Sequence, residues 1–147
     1  NHIIIDSAAG LGEEALSTIR IADEIIIVTN PEMPAITDAL KTIKIAEELN
    51  KIIKGVIVTR VRRNNFEMQA ETVKDMLEVP ILGMIPEDIS VQDSLNRKDA
   101  VVNSHPKSKA ALAYKEIAAK ILDIEYDSEK DKGSWFENLI SKFRIWK

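Results

Sequence analysis

An apolar run, His2-Ile3-Ile4-Ile5, ends in Asp6 and passes at once into the small-residue turn Ser7-Ala8-Ala9-Gly10. Such a run reads as a buried parallel strand. An acid at the carboxyl end of that strand stands where open α/β sheets place their ligands. In phosphoryl-transfer sites an acid so placed serves the metal that accompanies the phosphates, and a glycine lets backbone approach them. Asp6 and Gly10 are therefore the first candidates for chemistry. The same residues also fit a plain helix N-cap, with Asp6 or Ser7 accepting from the next helix's first amides. Arg60, Arg62 and Arg63 form a short basic cluster, readable as a solvated loop or as a partner or nucleic-acid contact. His2 and His105 have no acid or second histidine at ligand spacing and read as structural or exposed.

These residues need elements to hold them, and the chain alternates strand and helix. Strands are predicted over 2–6, 24–29, 55–59 and 80–85, the second closed by Asn30-Pro31 and the last by Pro86. Helices are predicted over 13–19, 34–50, 70–77, 91–96 and 108–122. Ile36, Leu40, Ile43, Ala46 and Leu49 give the second helix one apolar face. Strands separated by helices of this length imply right-handed crossovers and a parallel sheet, so the fold class is α/β, doubly wound.

The totals narrow the class further. A chain of 147 residues with 45% apolar and 30% charged residues suits one folded domain. A net charge of −4 argues against a surface-wide nucleic-acid interface. The absence of cysteine from these residues removes disulfides and thiolate chemistry. No apolar run reaches the ~18 residues of a membrane span, and no signal peptide is visible, so a cytoplasmic location is expected. The sequence opens inside a strand without an initiator Met, and a segment of a longer protein is the expectation.

Asp6-Ser7-Ala8-Ala9-Gly10 resembles the switch segment of the MinD/ParA group of deviant P-loop ATPases, which usually has proline where Ala8 stands. Ala22-Asp23-Glu24, Val28-Thr29-Asn30-Pro31-Glu32, Thr37-Asp38-Ala39, Ile85-Pro86-Glu87-Asp88 and Pro106-Lys107-Ser108-Lys109-Ala110 follow in the same order and spacing. The resemblance covers residues 1–122, the carboxyl-terminal half of such an ATPase and hence part of a P-loop NTPase fold. It implies ATP and Mg²⁺ as cofactors of the parent protein. Asp6 would orient the Mg²⁺-bound water, and Gly10 would offer its N–H near the γ-phosphate. Thr59-Arg60 matches a family Asn-Arg whose amide reads adenine, and Thr59 cannot reproduce that paired contact. Pro86, Glu87 and Asp88 would wrap the base, mostly through backbone groups. The five glycines are followed by Leu, Glu, Val, Met and Ser, so no Gly-Lys-[Ser/Thr] phosphate loop lies in these residues. Hydrolysis is accordingly expected of the parent, not of this stretch alone.

Beyond the domain, residues 123–133 carry five acids and read as a solvated linker. In residues 134–147, Trp135, Leu139, Phe143 and Trp146 fall on one side of a predicted helix, with Phe136 and Ile140 on its shoulder. Lys142 and Lys147 border that face. Such a helix suits the membrane interface, with docking on the protein itself as the other reading. MinD-type proteins are similar in ending with a membrane-targeting helix. The resemblance thus implies ATP-dependent homodimerisation, peripheral attachment to the inner face of the cell membrane, septum-site regulation, and a regulatory partner from the division machinery. A partition or metallocentre-maturation ATPase of the same superfamily, or a non-enzymatic membrane adaptor, are the competing expectations. Nucleic acid is not an expected partner.

Overall fold

A computed structural model describes residues 2–8, 10–62 and 67–126, and the backbone of 143–144. Its centre is a three-stranded parallel sheet in the order β2 (Glu24–Thr29), β3 (Ile52–Val61), β4 (Ile81–Pro86). Helix α2 (Met33–Glu48) crosses from β2 to β3, and α3 (Ala70–Leu77) crosses from β3 to β4. Alternation along each strand sends successive side chains to opposite faces. Val56 and Val58 of β3 accordingly enter one core with Ile36, Ala39 and Ile43 of α2 and Val73 and Leu77 of α3. Ile57 faces the other way, onto Ile85, Ala110 and Ile117, where α6 (Lys109–Ile121) covers the sheet. Helices on both faces of a parallel sheet make the doubly wound α/β class that the patterning predicts.

Local chemistry sets the element boundaries. α2 starts at Met33 with Pro34 in its first turn, where a missing N–H costs nothing. α1 (Glu13–Ile21) has Glu13 and Glu14 at its positive end, and Lys51 Nζ donates to the Arg20 and Ala22 carbonyls at its far end. β3 runs from Ile52, longer than predicted, because Gly55 carries an irregularity without ending the strand. Gly55 has φ +149°, and a Cβ there would lie 2.5 Å from the Pro80 carbonyl oxygen. Helix α4 (Ile89–Asn96) follows β4, and α5 (Val101–Ser104) is a single turn that no periodicity announces.

The expected strand 2–6 needs correction. Only His2–Ile3 (β1) is a strand, and Ile3, Ile4 and Ile5 are exposed rather than buried, Ile3 by 73%. The reason is pairing. β1 does not join the three-stranded sheet but lies parallel to β5 (Phe143–Arg144), so no layer closes over its apolar side chains. An open strand edge accepts whatever extended segment reaches it. Phe143–Arg144 is thus a short strand within a stretch read as helix. The remainder of that stretch, with the linker from residue 127 onward, lies outside the described residues. No helix among the described residues is long and apolar enough to cross a membrane.

Candidate nucleotide site

The carboxyl ends of β2, β3 and β4 are where a parallel sheet of this kind binds ligands. At the end of β2, Thr29 is buried, and the Asn30 side-chain oxygen accepts from Glu32 N–H at 3.2 Å, turning the chain into α2. Thr59 Oγ1 donates to the Thr29 carbonyl at 3.1 Å, so this hydroxyl ties β3 to β2. Arg60 follows in the left-handed region, with φ 57°, where the β3–β4 register shifts between Val58 and Val61. Among the described residues, four other non-glycine residues share that conformation, Asn50, Glu78, Lys98 and Asp123, and all four lie at helix ends, where it is ordinary. Arg60 has it inside a strand, at a cost of about 1 kcal/mol or more.

The ends of β3 and β4 are joined by charge. Glu87 N–H donates to the Val61 carbonyl at 3.0 Å. Arg62 grips the Glu87 carboxylate through Nε at 2.5 Å and Nη2 at 3.0 Å. The Arg62 backbone N–H is shared by both carboxylate oxygens of Glu67, each at 2.9 Å. The hydrogen bond to Glu87 raises the Arg62 pKa above its ordinary value, and the same bond holds the Glu87 carboxyl below the usual carboxylate range. Asp88 does different work. One oxygen accepts from Ser90 N–H at 2.9 Å and caps α4, while the other accepts from Ala110 N–H at 3.1 Å in the first turn of α6. These two backbone donors, Ser90 first and then Ala110, hold the Asp88 carboxyl low.

Thr59, Arg60, Pro86, Glu87 and Asp88 thus form one group around two adjacent loops. Asp6 and Gly10 stand outside it, exposed on the segment that follows β1. Gly10 has φ +84° with open space around its Cβ position, a turn suited to a close backbone approach. No three acids or histidines gather as a metal cage among the described residues. Mg²⁺ characteristically takes one or two carboxylates together with substrate phosphates and water. A single accessible carboxylate at Asp6 fits that donor set.

A family profile described as ParA, NUBPL iron-transfer P-loop NTPase, matches residues 1–122. The chain belongs to the ParA/MinD family of P-loop NTPases. An uncharacterised ATP-binding protein of Methanocaldococcus jannaschii is 41% identical over 141 residues, 96% of this chain and 53% of that protein. The cell-division ATPase MinD of Pyrococcus furiosus superposes with a TM-score of 0.75 at 31% identity, covering 80% of this chain and 50% of that one. Septum site-determining MinD from Pyrococcus horikoshii, solved with Mg-ADP, superposes with a TM-score of 0.74 at 32% identity, covering 79% and 48%. The chain spans about half the length of the curated relatives it matches.

Within this ParA/MinD half-domain the structure also assembles groups that sequence reasoning missed. His105 sits between Asp93, with Nε2 to Oδ2 at 3.1 Å, and the Ser94 and Ser104 hydroxyls, with Nδ1 at 3.3 Å and 3.1 Å. Asp93 and Ser94 lie 12 and 11 residues before it on α4, and Ser104 is its neighbour on α5, so spacing along one helix gave no signal. This polar knot borders a cavity of about 400 Å³ between α4, α5 and α6, walled by Val91, Leu95, Val101, Val102 and Tyr114. The Arg62–Glu87 link was equally hidden, because its partners are 25 residues apart and meet only when β3 and β4 pair. The membrane-facing residues named from sequence, Trp135, Phe136, Leu139, Ile140, Lys142, Trp146 and Lys147, lie outside the described residues, as does the side chain of Phe143.

Proposed function

We propose that this chain is the carboxyl-terminal half of an ATP-dependent, membrane-associating regulator of cell-division placement. The observation that carries the reading is the family match over residues 1–122, joined to an aromatic, basic-edged tail at 134–147. Solved relatives are named as a cell-division ATPase and as a septum site-determining protein with Mg-ADP, which supports the same assignment for the parent polypeptide.

In this account Asp6 holds the water shell of Mg²⁺ and Gly10 presents its N–H toward the terminal phosphate. Bound Mg²⁺ supplies neutralisation of phosphate charge. The loops carrying Thr59-Arg60 and Pro86-Glu87-Asp88 enclose the base. Thr59 spends its hydroxyl hydrogen on the Thr29 carbonyl, which leaves its oxygen as an acceptor toward a ligand donor such as an exocyclic amine. Nucleotide bridges two subunits, and the dimer presents two tails together. One tail buries four or five large side chains at ~1.5–3 kcal/mol each but must fold to do so, and its hold is weak. Two linked tails bind far more firmly through effective concentration. A partner from the division machinery, by stimulating turnover, returns the protein to the cytoplasm.

The test is nucleotide turnover by the native full-length polypeptide. Asp6→Ala is expected to lower MgATP turnover at least about a hundredfold while changing MgATP affinity by less than about threefold, the pattern of a group used mainly in the transition state. Full turnover in Asp6→Ala removes Asp6 from the site.

A further inference from the structure

We propose that Arg62 is a positioning residue for the nucleobase end of the site, acting through its pair with Glu87. The inference rests on the nucleotide-binding reading above. Arg62 is the first residue after β3, and Glu87 is the first after β4. Two parallel hydrogen bonds join them, so both separation and orientation are fixed, which a single contact would not achieve. The Arg62 end is itself pinned, because its N–H rests on both oxygens of Glu67 ahead of α3. The Glu87 end is pinned by its N–H on the Val61 carbonyl.

As a stabilising contact this latch is poorly placed. The two side chains are 52% and 38% exposed, where even a bidentate pair adds only modestly to folding. Its location explains it better. It spans two loops at the carboxyl ends of neighbouring strands, the end of a parallel sheet at which ligands bind. Arg60, two residues before it, is held in a left-handed conformation that a plain strand end does not require. The left-handed Arg60 at the β3–β4 register shift and the bidentate fork after it together fix how the two loops lie against each other, which is what a site built from both loops requires.

The experiment measures affinity of the native full-length polypeptide for two probes, MgATP and magnesium tripolyphosphate, the second having phosphates but no base. Arg62→Ala is expected to weaken MgATP binding about tenfold and to leave tripolyphosphate within about twofold. Arg62→Lys keeps the charge without the fork and is expected to recover only part of the loss. The reversed pair, Arg62→Glu with Glu87→Arg, is expected to recover most of it, and it carries the test if the single variants do not fold. Unchanged MgATP affinity in Arg62→Ala, or equal weakening of both probes, overturns the latch. A wild-type protein that binds neither probe overturns the nucleotide reading itself, and the latch with it.

Discussion

Asp88 shows how one side chain can tie the ends of several elements together. Its two oxygens accept from the first turns of α4 and α6, so the loop after β4 and both helices share one anchor. Asp88→Ala is expected to destabilise the fold by about 1–2 kcal/mol, the usual cost of losing a helix cap, measured as a shift in denaturant midpoint. The pH dependence follows from the direction of its pKa. Because the folded carboxyl is held below its ordinary value by Ser90 and Ala110, its contribution is fully present above the unfolded pKa. It is lost as pH falls through the lower folded value. Stability of the wild type is therefore expected to drop more steeply than that of Asp88→Asn in the acidic range below the ordinary aspartate pKa. Parallel slopes for the two proteins would contradict this. Thr59→Val belongs to the same scale: it leaves the Thr29 carbonyl without its cross-strand donor, an expected loss of about 1 kcal/mol in equilibrium unfolding.

At the scale of elements, patterning and packing agree where a layer closes over the apolar face. Of the five positions that helical spacing assigns to the apolar face of α2, Ile36, Ile43 and Ala46 are buried, while Leu40 and Leu49 are half-buried at its edge. Ile43→Ala is expected to cost about 2–5 kcal/mol in chemical denaturation, since it opens space inside the α2 layer. Gly55→Ala is expected to cost more than about 1 kcal/mol, through both its φ of +149° and the Pro80 carbonyl that would meet the new methyl. The central strands and their crossover helices were legible because apolar runs alternate with helical spacing and Asn30-Pro31, Asn50, Pro80 and Pro86 punctuate them; β3, with no such residue at its end, runs past its predicted limit to Val61. The segment after His2 was misread for a physical reason. Ile3-Ile4-Ile5 has the composition of a buried strand, but composition reports what a segment can bury, not what lies beside it. Of the candidate site, Asp6, Gly10, Thr59-Arg60 and the Pro86-Glu87-Asp88 run could be named from the family resemblance alone, with Thr59 standing where the family has Asn. By contrast, Arg62–Glu87, Asp88–Ala110 and His105–Asp93 depend on chain segments meeting in space.

The whole molecule poses the question of attachment. In the sequence, an acidic stretch from Asp123 precedes an aromatic segment of opposite charge character, with Lys142, Arg144 and Lys147 against Glu137. A folded body with a weakly binding tail becomes a switch only if something pairs the tails, and nucleotide-dependent dimerisation is that event in this account. Deleting residues 134–147 is therefore expected to abolish membrane binding while leaving MgATP binding within about twofold, since every group proposed for the nucleotide precedes residue 134. The most direct measurement is sedimentation of the native full-length polypeptide with anionic-lipid vesicles, in MgATP and in MgADP. The account predicts that the wild type pellets with vesicles in MgATP and remains soluble in MgADP, and that Trp135→Asp with Trp146→Asp stays soluble in both. Equal pelleting in the two nucleotides, or pelleting that the tail substitutions do not change, would contradict the nucleotide-gated membrane switch.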